Sequence, residues 1–261
     1  MKQELVKQVV KVGNSAGVIL PREWLDGKAR VELIERPLNV KREVLEILEE
    51  YLEHIIGIYL VGSYARGEEE DRSDVDVIVI TDRINKRINS GKYNVILISY
   101  GAVRRALDKN AIPILPMLKE AKTLLNADLL EKYKKNKLTK KNVRLHVGLA
   151  ESSLKISDSF IELSREHGWK VGDAVAYSLI LNLRTLQTID CLRRGKICKK
   201  KELVSLARKL SGSNAAYEGY LRVKDSMNSL DELSVEEADG IYSYLIGKIG
   251  EYKKWLKEKR D

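Results

Sequence analysis

Cysteine is nearly missing from this 261-residue chain, which holds only Cys191 and Cys198. Their spacing fits no zinc motif and no secretory context accompanies them, so both are expected as reduced thiols in a cytoplasmic protein. Long apolar runs are missing too. None approaches the roughly 20 residues a membrane span needs, and no signal-peptide pattern occurs, so no membrane partner is expected. Histidine is limited to three residues. One of them, His54, closes an amphipathic stretch, where histidine more often ends a helix than binds a metal.

Charge is abundant and uneven. The formal net charge is +9, with 33% charged residues. Residues 1–36 carry 7 basic against 5 acidic groups, 37–125 carry 13 against 14, and 126–261 carry 27 against 19. The excess therefore lies in the C-terminal half. It fits a nucleic acid or another polyanion, and equally a lysine-rich solvated surface of the heat-adapted kind.

The chain is organised around residues 57–82, GIYLVGSYARGEEEDRSDVDVIVITD. The apolar run Ile58–Val61 reads as a buried strand that stops at Gly62-Ser63. A glycine-serine turn opening a short helix presents backbone N–H groups to phosphate oxygens, and Arg66 lies one turn further on. Ser73–Ile80 then reads as a second strand by its β-branched content. Asp74 and Asp76 are two residues apart, so they project from one face about 7 Å from each other. A carboxylate pair beside a phosphate cradle suits Mg²⁺ and a nucleoside triphosphate. Placing such a pair on a valine-isoleucine strand without a cation is costly.

Gly62-Ser63, Arg66-Gly67 and Ser73-Asp74-x-Asp76 together resemble the signature of the minimal nucleotidyltransferases of the DNA polymerase β-like superfamily. The resemblance implies that Gly62, Ser63 and Arg66 bind the nucleotide, that Asp74 and Asp76 are the catalytic metal ligands, and that Mg²⁺ or Mn²⁺ serves as cofactor with an NTP as substrate. It also implies a small mixed sheet over residues 38–134.

Periodicity agrees with that expectation. Val44, Leu45, Leu48, Leu52 and Ile55 recur at helical steps over 40–55. Tyr93–Ile98 reads as a third strand, and helices follow over 101–109 and 127–135, with Pro113 and Pro116 breaking the chain between them. This order suggests helices on one face of a mixed sheet. One departure matters: the superfamily usually has a third carboxylate on the strand after the metal pair, and YNVILIS contains no acid. Asn94 is the residue nearest that position, and an amide cannot serve as a base. Asp82 lies six residues beyond Asp76, roughly 20 Å along an extended strand, too far to complete the site.

The flanking segments differ in kind. In residues 1–36, Val9–Val12 and Val18–Leu20 are short β-like runs around Gly13–Gly17. Pro21–Leu25 reads as one helical turn, and Ala29–Glu35 alternates like a strand. A lone hairpin is marginal, so this segment must dock or pair with a second copy. KVGNSAGVILPREWL is similar to the AbrB-like swapped hairpin, which implies a homodimer through residues 1–36 and DNA contact at Lys11, Asn14 and Ser15. Ile19 stands where some relatives carry a DNA-contacting arginine, so the pairing role is better supported than the DNA role.

Residues 132–141 form a basic connector with six lysines. Beyond it, residues 140–261 are helical throughout, broken near Gly168, Gly195, Gly212 and Ser229, with a Ser234/Glu237 capping box before the last helix. That region is similar to the HEPN-type bundles that accompany minimal nucleotidyltransferases. Arg144/His146 and Arg165/His167 lack the arginine-histidine spacing of the ribonuclease members, so no ribonuclease is inferred.

The sequence thus predicts an α+β protein: a swapped-hairpin segment (1–36), a nucleotidyltransferase domain (38–134) and a helical bundle (140–261) for an acceptor or partner. Two functions remain open. One is Mg-dependent transfer of an NMP to a hydroxyl of a protein, an RNA or a small compound such as an aminoglycoside. The other is an antitoxin-like dimeric regulator that binds DNA or nucleotide with a degenerate catalytic site.

Overall fold

The structure is a computed structural model in which residues 4–34, 38–70 and 73–258 are described. Contacts divide it into two units, residues 1–39 and 40–261.

In the first unit β1 (Val9–Val12) pairs antiparallel with β2 (Ser15–Val18), with Val12 opposite Ser15 and Val9 opposite Val18. Gly13, at φ 58°, lets the chain reverse in two residues. Pro21 then leads into a single 3-10 turn, Arg22–Trp24. The strand expected over Ala29–Glu35 does not form over residues 29–34, and Glu35 lies outside the described residues, as does Pro37.

The second unit opens with α1 (Val40–Ile47), which passes into a 3-10 segment, Glu49–His54. The expected helix over 40–55 is therefore broken at Leu48, whose φ/ψ of −95°/5° leaves the helical well. Five strands follow: β3 (Ile55–Val61), β4 (Val75–Thr81), β5 (Lys86–Ser90), β6 (Tyr93–Ser99) and β7 (Lys122–Leu125). They lie in the order β5-β6-β4-β3-β7, with β4 and β6 parallel and every other neighbouring pair antiparallel.

Between strands run α2 (Gly62–Arg66), α3 (Tyr100–Lys109) and α4 (Leu115–Glu120), and α5 (Ala127–Lys134) follows β7. Tyr59, Val61, Ile78 and Ile80 on one face of the sheet pack with Val103, Ile114, Leu118 and Leu130 from α3, α4 and α5. The alternate residues Ile58, Val77 and Val79 are buried as well. Both faces of the central strands are buried, which explains why these strands read as unbroken apolar runs.

The helical remainder comprises α6 (Lys140–His167), α7 (Asp173–Arg193), α8 (Lys200–Ser211), α9 (Ala215–Lys224) and α10 (Val235–Lys257). Val147, Leu154 and Ile161 of α6 meet Leu179, Leu183 and Leu186 of α7 and Ile241, Leu245 and Ile249 of α10 in one core. The Ser234–Glu237 capping box forms as the sequence suggests. At the start of α7, buried Asp173 accepts two hydrogen bonds from Arg222, at 2.7 and 2.9 Å, and others from Ser229 and the Leu230 backbone. The Arg222 guanidinium holds the Asp173 carboxyl at about 2.

One expectation is overturned outright. Cys191 and Cys198 are not free thiols but a disulfide, with Cα atoms 5.8 Å apart. Gly195, at φ 66°, turns the chain back after α7 and brings the two residues within bridging reach.

Candidate active site

The Gly62 turn sits where β3 ends. Gly62 has φ 72°, a region that only glycine enters freely, and a Cβ there would lie 2.5 Å from Asp76 Oδ2. Sterics on both counts require glycine, and they bring the backbone of the turn directly against the Asp76 carboxylate. Val61 is opposite Asp76 in the β3–β4 register. Asp76 is half-buried in β4, and Asp74, just before that strand, is exposed. Ser73 shapes the approach: its hydroxyl accepts from the Glu70 N–H at 2.8 Å, and its own N–H donates to the Glu70 carbonyl.

Asn94 lies beside Asp76. It is opposite Asp76 in the parallel β4–β6 register. Its amide Nδ2 donates to Asp76 Oδ1 at 2.7 Å, and its Oδ1 accepts from Arg87 Nε at 2.8 Å. Those two bonds fix which end of the amide faces the carboxylate. Asp82 is elsewhere, paired with His54 at 3.2 Å.

Sequence reasoning missed Glu120. At the end of α4, its Oε1 accepts from the Gly62 N–H at 2.9 Å and its Oε2 from Arg66 Nη1 at 2.8 Å. Arg66 Nε also donates to Glu68 at 2.8 Å, which holds the Glu68 carboxyl below its usual range. The Gly62 N–H and the Arg66 guanidinium are thus already engaged by carboxylates. Only the fold reveals this, because Glu120 lies 58 residues from Gly62.

The helical region borders the same loop, for Lys200 of α8 meets Glu70 at 3.0 Å. In the first unit, Lys11, Asn14 and Ser15 lie exposed at the tip of the β1–β2 hairpin.

Among the described residues no three Asp, Glu, His or Cys side chains converge as a metal site. Two carboxylates on one face still fit Mg²⁺, which commonly takes one or two carboxylates and completes its shell with phosphates and water.

Residues 41–162, which include the glycine turn and both aspartates, match the family model described as a nucleotidyltransferase domain. Over 50 residues it is 40% identical to the Methanocaldococcus jannaschii protein named "Putative protein adenylyltransferase", a stretch covering 19% of this chain and 48% of that one. The chain thus spans about half the length of this curated relative. Two solved structures are also similar. One is a nucleotidyltransferase-like protein from Exiguobacterium sibiricum (16% identity, TM-score 0.39, covering 85% of this chain and 81% of that one). The other is a spectinomycin adenyltransferase from Enterococcus faecialis with ATP and spectinomycin (17% identity, TM-score 0.41, covering 80% and 97%). Among the described residues no helix is long and apolar enough to cross a membrane.

Proposed function

We propose that this protein transfers an NMP from an NTP to a hydroxyl acceptor, with Mg²⁺ held by Asp74 and Asp76. The observation that carries this is the seat of Asp76 against the Gly62 turn, where a Cβ on Gly62 would lie 2.5 Å from Asp76 Oδ2, with Asp74 two residues before it in the chain. The acceptor oxygen attacks the α-phosphorus, the bond to the bridging oxygen breaks, and pyrophosphate leaves with the electron pair. The hydroxyl proton passes to Asp74, the more exposed carboxylate, or to water. A metal at the pair supplies charge neutralisation. Gly62, Ser63 and Arg66 bind the triphosphate, which displaces Glu120 from the Gly62 N–H and from Arg66. Of the acceptor classes, the name of the archaeal relative favours a protein hydroxyl and AMP. The helical bundle, 140–261, borders the acceptor side, as the Lys200–Glu70 contact suggests.

In this reading residues 1–36 pair with those of a second copy in the manner of an AbrB-like hairpin. The apolar side chains left exposed there support it, among them Val6, Leu25, Val31 and Ile34.

A second reading, a DNA- or nucleotide-binding regulator without turnover, is favoured by two observations. Asn94 stands where an acid would take the proton, and Glu120 holds the phosphate donors. Calorimetric titration with Mg·ATP tests the site. We expect saturable binding by the native protein and none by Asp74→Ala/Asp76→Ala. Equal affinity in the two would place the nucleotide elsewhere.

A further inference from the structure

Helix α6 buries one face and exposes a second apolar one. Val143, Val147, Ala150, Leu154, Ile161 and Ser164 point into the bundle. On the outer side Leu145, Leu149, Ile156, Phe160 and Leu163 are 41%, 58%, 63%, 52% and 42% exposed. Their spacings of four, seven, four and three residues keep them on one stripe, running roughly 27 Å at 1.5 Å per residue. Phe160 is the chain's one phenylalanine. A solvated helix face has no use for five large apolar side chains in a row.

Four of the five are symmetric in sequence, Leu163 standing outside the symmetry. Leu145 and Phe160 are equally distant from the midpoint between Ser152 and Ser153, and so are Leu149 and Ile156. The exposed charge is unequal about that same point: Lys141, which also meets Asp108 at 3.6 Å, and Arg144 lie toward the start of the helix, while Glu162 and Glu166 outweigh Lys155 in the second half. Arg165 in the latter half is engaged by Glu162 and Asp239. An antiparallel pair of such helices sets leucine against phenylalanine, leucine against isoleucine, and the basic half of each against the acidic half of the other. A parallel pair sets like charge against like. Small serines at the midpoint allow the two helices to approach where they cross.

We infer that the outer face of α6 is a self-association surface, packing antiparallel on α6 of a second copy about a two-fold axis near Ser152 and Ser153. This surface is separate from any pairing through residues 1–36, and it does not depend on the transfer reaction.

Cysteine cross-linking of the full-length protein tests it. Ser152→Cys brings two thiols together across the axis and Glu166→Cys does not, since position 166 of one helix lies opposite the start of the other. Under mild oxidation at micromolar concentration, Ser152→Cys should become mostly covalent dimer joined at position 152 by peptide mapping, with Glu166→Cys remaining monomeric on a non-reducing gel. Adding Leu149→Glu and Ile156→Glu, both at exposed positions, should reduce the Ser152→Cys product at least tenfold with the circular dichroism unchanged. The inference is overturned by absence of the Ser152→Cys dimer, by a dimer that the two glutamates leave intact, or by efficient linking at position 166. The first outcome assigns the stripe to a different protein partner, and the last to a parallel pair.

Discussion

Asn94 and Asp76 face each other across the parallel β4–β6 register, and the Asn94 amide donates to Asp76 Oδ1 at 2.7 Å. The residue that the sequence offered in place of a third carboxylate is therefore in contact with Asp76. What it lacks is chemistry, not position: an amide neither accepts a proton at neutral pH nor brings negative charge.

Asn94→Asp is accordingly expected to raise nucleotidyl transfer, in the direction of the roughly 10²–10⁴-fold that general-base assistance supplies. Arg87 remains within reach to neutralise part of the new charge. Crowded carboxylates also repel, so the variant should melt lower in chelator and recover with Mg²⁺. Single-turnover rates and melting curves with and without Mg²⁺ check both. An unchanged rate together with metal-independent melting contradicts the assignment.

Glu120 engages the Gly62 N–H and Arg66, the two donors the proposed reading assigns to the triphosphate. Glu120→Gln keeps an acceptor for the Gly62 N–H but gives up the charge that neutralises Arg66. ATP should bind about fivefold tighter, the equivalent of roughly 1 kcal/mol, with a small loss of thermal stability. Weaker ATP binding in calorimetry would show that Glu120 serves instead to hold the turn in its binding shape.

Much of this was legible in the chain. The glycine turn and the Asp74/Asp76 pair announce themselves because their residues are adjacent in sequence and chemically conspicuous on an apolar strand. The helical region follows from period and caps: Gly168 and Gly212 end α6 and α8 in left-handed conformation. Strands β5 and β7 were not legible. Both are edge strands with largely exposed side chains, KRINS and KTLL, so neither carries a period that marks a buried face. Glu120 was hidden for a different reason: a lone glutamate at a helix end looks like any surface acid until the fold lays α4 beside the turn. The disulfide was misread because the spacing was weighed against metal motifs and compartment, not against a helix end followed by a reversing glycine.

The Cys191–Cys198 bridge closes a short loop holding Arg193, Arg194 and Lys196 just before Lys200 reaches Glu70. Closing a loop of this size contributes on the order of 2 kcal/mol by the chain-entropy account. Reduction with dithiothreitol, or Cys191→Ser/Cys198→Ser, should lower the melting temperature and raise proteolytic cleavage within 193–199. Identical melting and digestion with the bridge open would contradict this.

Asp173 is buried, and its carboxyl is held at about 2 against 3.8 unperturbed, chiefly by Arg222. A depressed carboxyl stabilises the fold above its unfolded value, and that stability is lost as pH falls through the folded one. The contribution should therefore be intact at neutral pH and disappear between about pH 4 and pH 2. Asp173→Asn leaves Arg222 without its buried partner and should cost about 3–5 kcal/mol at pH 7, with the difference from the native protein narrowing toward pH 2. Urea denaturation at several pH values measures it, and a pH-independent difference would contradict the assignment.

The most direct measurement is transfer of label. The protein is incubated with ATP, CTP, GTP or UTP labelled at the α-phosphate, with Mg²⁺ or Mn²⁺ and a cellular extract of protein and RNA. A parallel reaction carries γ-labelled nucleotide, and a third uses Asp74→Ala/Asp76→Ala. Label from the α-phosphate alone should become covalently attached to an acceptor, with pyrophosphate released, and the double variant should transfer none. No α-label on any acceptor with any of the four nucleotides, or equal labelling by the double variant, would contradict nucleotidyl transfer at this site.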